Sequence, residues 1–340
     1  MRFFAVLCAL AAAAAPSSAS EALRSPDFDG AKTAAGRRLE LPAPPAGVRG
    51  RPVEVPQDLQ DARPRVGTQA MISRLRPRDA GEAFVFGVIG DGEPGRFPWE
   101  RIFSPGPHAY RDQLRGLDAA GPDLVLQLGD FVSHGSVELY RGYLPVLEGL
   151  NTPIFHAVGN HDRSRPNGGA DKACYDAVFG PRDYYFDHGG WRFISLDSSD
   201  RRLGRAQMEW LAAALQVPRP KVVFTHVPPA FLRSAAPLKE VGPLEGPGEG
   251  KGYVDDLRTA YFEEGSAEFE ALVSSGGVAA VYMGHIHGFW AADHKGVRYV
   301  ISGGGGSPLY PLPPGYPKKR FAHVLTVEAG PRGLVETVRP

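Results

Sequence analysis

Eight short apolar runs, each stopped by a glycine or a polar cluster, constrain the fold of this chain more than any other feature. They are FVFGVIGD from Phe84, DLVLQLGD from Asp123, PIFHAVGNHD from Pro153, WRFISLDSS from Trp191, KVVFTHVPP from Lys221, VAAVYMGHIH from Val278, VRYVISGGGG from Val297 and FAHVLTVE from Phe321. Short runs rich in Val, Ile and Phe and bounded by glycine or proline read as strands, and nearly continuous apolarity implies cover on both faces. Helical periodicity fills several of the gaps. Residues 109–120 place Tyr110, Leu114 and Leu117 on one face, and 137–150 do so with Leu139, Tyr143, Leu147 and Leu150; 204–215 and 265–273 follow the same pattern. Strands alternating with helices predict an α/β domain of about 250 residues.

The rest of the chain divides around that block. Residues 1–20, MRFFAVLCALAAAAAPSSAS, show an arginine, an apolar run and a small-residue end, which is the layout of a secretory signal peptide. Residues 21–81 are rich in proline, arginine and glycine and read as a poorly ordered leader. The domain is therefore expected over 82–340, secreted or periplasmic, with no membrane span once the signal is removed. Cys8 falls in the signal, leaving Cys174 alone and no internal disulfide to stabilise an exported chain. Lys plus Arg equals Asp plus Glu at 38 each, so no nucleic-acid-binding surface is evident and an anionic substrate must be captured locally. The glycine-rich stretch 238–252 reads as a mobile loop.

Metal-capable side chains cluster where the strands stop. Asp91 and Glu93 follow the first run, Asp130 the second, and Asn160, His161 and Asp162 the third; His226 follows a later one, and His285 with His287 another. Residues at i and i+2 on an extended chain project to one side, so Asp91 with Glu93, and His285 with His287, can each converge on a point. A single Gly-Asp after a strand is ordinary turn chemistry. The ordered set is not. His108, His134, His156, His188, His294 and His323 read as ordinary polar groups, although His134 lies four residues after Asp130. No serine sits in a Gly-x-Ser-x-Gly elbow, and SGGGGS at 302–307 lacks the Lys-Ser or Lys-Thr of a phosphate-binding loop.

Gly129-Asp130, GNHD at 159–162, THVPP from Thr225 and GHIH at 284–287, in this order, resemble the motifs of the calcineurin-like metallophosphoesterase superfamily. YVISGGGGSPLY from Tyr299 is similar to the strand and glycine turn that follow its last motif. The resemblance implies two packed mixed β-sheets flanked by helices, an α/β/β/α sandwich, holding two divalent metal ions (Mn, Fe or Zn). It implies that Asp130 bridges both ions, that Asn160, His226 and His285 complete one site, and that Asp91 and His287 serve the other. His161 would protonate the leaving oxygen, with Asp162 orienting its imidazole and Arg163 contacting a phosphate oxygen. The implied activity is hydrolysis of small-molecule phosphate mono- or diesters by attack of a metal-bound hydroxide. The alternative is a catalytically weak or inactive metal-binding regulatory protein on the same fold.

One motif departs from the family. Its usual Asp-x-His is here Asp91-Gly92-Glu93, and the tyrosine that ligates iron in the purple acid phosphatase branch is Ser133. Glu93 then has three readings: a ligand that makes its site oxygen-rich and biased to Mn²⁺, Mg²⁺ or Ca²⁺, a carboxylate turned away from a weak site, or a solvated loop residue.

Overall fold

Strand β1, Phe84–Ile89, lies at the centre of the first sheet. It pairs in parallel with β2, Leu124–Gln127, which pairs in parallel with β3, Ile154–His156. On its other side β1 meets the chain's last hairpin antiparallel, formed by β11 (Val324–Gly330) and β12 (Gly333–Arg339). A second sheet takes the middle of the chain: β4 Tyr184–His188, β5 Trp191–Leu196, β6 Lys221–Thr225, β7 Glu240–Gly242, β8 Val278–Met283, β9 Phe289–His294 and β10 Val297–Ser302, in the order β4-β5-β6-β8-β10-β9-β7. Its inner strands β5, β6, β8 and β10 run parallel, with antiparallel strands at both edges. This computed structural model describes residues 54–93, 106–164, 171–233, 240–242, 261–309 and 322–340. The signal-like segment 1–20, the leader up to residue 53 and most of 238–252 lie outside them.

The two sheets face each other across an aromatic core. Phe86 meets Phe193 edge-on at 5.4 Å between ring centroids and Tyr282 at 5.9 Å, while Phe155 stacks on Phe186 at 3.8 Å. Phe86 is fully buried, worth about 1.5–3 kcal/mol relative to an exposed side chain. Helices cover the outer faces. On the first sheet lie α4 (Gly106–Ala120), α5 (Val137–Leu147) and α6 (Ala173–Val178), whose Tyr110, Leu114, Leu117, Tyr140, Tyr143 and Val178 share one cluster with Val125 and Ile154. On the second lie α7 (Arg205–Ala214) and α8 (Ser266–Ser275), packing Met208, Leu211, Phe269 and Val273 against Ile194, Val223 and Val281. The architecture is the α/β/β/α sandwich.

Three expectations change. Residues 57–74, read as part of a poorly ordered leader over 21–81, form α1 (Gln57–Gln60), α2 (Arg63–Val66) and α3 (Thr68–Arg74) packed on the domain. Leu59 is fully buried, Met71 nearly so, and Arg74 donates to the carbonyls of Leu150 at 2.7 Å and Asn151 at 2.9 Å. Pro56 and the proline of α2 sit at helix starts, where a missing N–H is harmless, so proline here marks helix entry. The buried face of α5 is Tyr140, Tyr143 and Leu147, whereas Leu139 is 38% exposed. Within 238–252, Glu240–Gly242 adds an edge strand by pairing with β9.

Candidate metal centre

Every parallel strand that carries a metal-capable residue delivers it at its C-terminal end, the edge where open α/β sheets gather ligands. Asp91, Asp130 and Asn160 come from the first sheet, and His226, His285 and His287 from the second. The site therefore straddles the seam between the sheets.

His226 is the hub. Its Nδ1 meets the Leu128 carbonyl at 2.8 Å, so that nitrogen carries a proton and Nε2 faces the cluster. There Nε2 lies 3.0 Å from Asp130 Oδ2, 3.1 Å from Asn160 Oδ1 and 3.2 Å from His285 Nδ1. Asp130, His226 and His285 present ligand atoms all within 4.8 Å of one another, and all three are buried. Lone pairs converging on one buried point need a cation among them, and this mixture of carboxylate, amide oxygen and imidazole suits a divalent transition ion. These residues fit the metal that the motifs imply.

A second group adjoins it. Asp91 accepts the His285 N–H on both oxygens at 3.0 Å, and its Oδ1 lies 3.5 Å from His287 Nε2. His287 Nδ1 is turned to the Pro308 carbonyl at 3.0 Å, which again leaves Nε2 for the site. Glu93 is 2% exposed, with Oε1 3.9 Å from the same Nε2, so it is no solvated loop residue.

The backbone is bent to achieve this. Asp91, Asp130 and His285 adopt left-handed φ of 58°, 54° and 70°, each at about 1–2 kcal/mol for a residue with a Cβ. Glycines make the close approach possible: a Cβ on Gly159 would overlap Asp130 Oδ1, and one on Gly284 would come within 2.6 Å of Asp91 Oδ2.

The other sequence candidates sort clearly. His161 is half-buried; its N–H donates to Asp130 Oδ1 at 2.8 Å and its Nδ1 meets the Ser133 carbonyl at 3.1 Å. Asp162 does not orient that imidazole. Its carboxylate accepts the N–H groups of Asp130 (2.8 Å) and Gly159 (2.7 Å) on Oδ2, and those of Phe131 (3.0 Å) and Val132 (3.2 Å) on Oδ1. Arg163 is 2% exposed, with Nη1 paired to the Asp200 carboxylate and Nε donating to the Asn160 carbonyl, so these two donors are taken up within the protein and not by the phosphate contact expected. His134 is exposed, and His156 is a core group bonded to the Tyr143 hydroxyl at 3.0 Å. Sequence reasoning passed over Ser198, whose Oγ receives the Val227 N–H at 2.7 Å and lies 2.7 Å from Thr225 Oγ1, pinning the residues on both sides of His226. The polar end of WRFISLDSS was the only signal for it.

Charge balance follows from these contacts. Burial opposes protonation of His226, but the Asp130 carboxylate outweighs it and raises the imidazole to about 9. Burial likewise opposes protonation of His287, and Asp91 with Glu93 raises it to about 9. His285 is pushed well down by burial and by its charged neighbour His226. Burial raises Asp130, yet His226 and His161 hold it below its usual value. A proton and a metal ion therefore compete for the same lone pairs. In stripped protein, the stabilisation from protonated His226 and His287 is full below their ordinary 6.5 and is lost as pH rises through about 9. Metal affinity should climb over that window. Calorimetry of stripped protein with Mn²⁺ at pH 7, in two buffers of different ionisation enthalpy, should show release of about two protons; buffer-independent heats would contradict this account.

Comparison with known proteins bears on the family and the fold. The family model for calcineurin-like phosphoesterase matches residues 86–289. A probable cyclic nucleotide phosphodiesterase of Synechococcus sp. is 30% identical over 137 residues, 38% of this chain and 52% of the relative, so the match spans about half of that protein. Purple acid phosphatase PPD1 from yellow lupin (Lupinus luteus) seeds superposes with a TM-score of 0.58 at 18% identity, covering 78% of this chain and 52% of its own. A dimetal phosphatase from Danio rerio gives a TM-score of 0.48 at 14% identity, covering 74% and 98%. The lupin likeness speaks to the fold alone.

Proposed function

From the premise that this chain belongs to the calcineurin-like phosphoesterase family, we propose that it is a dinuclear metal-dependent hydrolase of small phosphate esters. The observation that carries the reading is the convergence of Asp130, Asn160 and His285 on Nε2 of His226. Those four residues would hold one ion; Asp91 and His287, with Glu93 beside them, would hold the other, and Asp130 would bridge. Bound ions supply Lewis acidity toward the phosphoryl oxygens and toward the attacking water.

The remaining work falls to the chain's own groups. The Leu128 and Pro308 carbonyls fix the tautomers of His226 and His287, so both present Nε2. His161 donates Nδ1–H to the Ser133 carbonyl, so in the imidazolium form its Nε2–H would be the proton passed to the leaving oxygen, leaving the neutral ring with its Nδ1–H still in place. The two sheets close the site from below, with Asp91, Asp130 and His226 at 0–1% exposure, so charge interactions there are strong. Export is proposed from residues 1–20, and no described helix is long and apolar enough to cross a membrane.

The test is turnover of nitrophenyl phosphate, its bis-ester and a panel of linear and cyclic nucleotides by protein loaded with Mn²⁺. Cyclic nucleotides belong in the panel because the Synechococcus relative is a probable phosphodiesterase of that class. Hydrolysis of at least one class is expected, with two metal equivalents bound. One equivalent and no turnover would favour the regulatory metal-binding alternative, for which the buried Glu93 in place of histidine is the motivating observation.

A further inference from the structure

Arg163 follows the GNHD motif directly, yet it is among the most buried large side chains of the described residues. A guanidinium this deep needs directed partners. Its Nη1 pairs with the Asp200 carboxylate, and its Nε donates to the carbonyl of Asn160 at 3.2 Å. Asp200 is itself anchored from the other side by Lys172 Nζ at 2.9 Å, which also reaches Asp197 at 2.5 Å, and Asp197 meets Arg182 at 3.1 Å. Charges alternate along this chain of five, and it ties the loop after β3 to the segment before α6 and the loop after β5. The backbone of Arg163 is held too, its carbonyl accepting the Gly135 N–H at 2.8 Å.

We propose that Arg163 is a positioning residue for the metal centre, its guanidinium fixing the main chain that carries Asn160, with Asp200 as the anchor that aims it. This rests on Asn160 being a ligand, as proposed above. The planar fork holds Nε and Nη1 at a fixed angle, so the Asp200 pair determines where the Nε–H points. Lysine can keep the charge pair but cannot supply the second, directed donor. Partners that orient ligands in this way typically carry about 10–100-fold in metal affinity.

The test uses stripped full-length protein titrated with Mn²⁺ by calorimetry, with thermal unfolding of the stripped form measured alongside. R163K should weaken one of the two Mn²⁺ sites by about 10–100-fold and leave the other within a few-fold of wild type. D200N, which keeps the arginine but loosens its aim, should weaken the same site by a smaller factor. A lower melting temperature with both affinities unchanged would make Arg163 merely structural and overturn the proposal. Equal weakening of both sites would overturn it too, because the effect would not run through Asn160. Wild-type protein that takes up no Mn²⁺ would sink the metal reading itself, an outcome distinct from either.

Discussion

Asp162→Asn is expected to remove roughly 2–6 kcal/mol of unfolding free energy, on two buried N–H groups losing an acceptor at about 1–3 kcal/mol each. The carboxylate accepts four backbone N–H groups, two on each oxygen. An amide keeps one oxygen and turns an NH₂ toward the other pair, so whichever way it flips, two donors face a donor. Burial and the Asp130 charge push the Asp162 carboxyl well up, and the backbone donors oppose that shift by favouring the anion. Because these donors belong to Asp130, to its two successors and to Gly159, the variant should also weaken metal binding at the Asp130, His226 and His285 cluster. Against a typical total stability of about 5–15 kcal/mol, the loss is a large fraction. Denaturant unfolding in the presence of a chelator measures it; an unchanged midpoint would mean that the four contacts contribute nothing.

His161→Ala should act in the opposite manner, sparing the fold and removing turnover. The contact of residue 161 with Asp130 runs through the main-chain N–H, which alanine retains. Only the imidazole is lost, and a positioned proton donor is worth about 10²–10⁴ in rate. The expected result is kcat lower by about that factor with metal content unchanged by elemental analysis. Parallel loss of metal and turnover would make the imidazole a ligand.

Much of this was legible before the fold was seen. Strand-ending motifs announce themselves because an apolar run must stop somewhere, and GNHD or GHIH at such a stop is hard to produce by turn chemistry alone. The strands that escaped notice are β7 and the partly exposed β4, β9 and β12, of which β4, β7 and β12 lie at sheet edges; YYFDH, FWAADH and GLVETVR mix charge into the pattern because part of each strand is not buried. Asp162 misled for another reason. It is adjacent to His161 in sequence, but three of its four N–H partners lie some thirty residues earlier, in a loop whose left-handed turn at Asp130 no composition reveals. Arg163 shows the same limit, since its partner Asp200 is 37 residues away.

The placement of the site on the seam has a consequence for how the protein comes into being. Asp91 and the His285 N–H are separated by 194 residues, and His226 reaches the Leu128 carbonyl across 98. Strand β1 cannot complete its pairing until β11 arrives from the far end of the chain. Contacts of such long sequence range form late, after much loop-closure entropy has been lost. All the candidate ligands, from Asp91 to His287, thus precede in the chain the strand that completes the first sheet. Activity is therefore expected only once both sheets have met, which would make activity itself the readout of finished assembly.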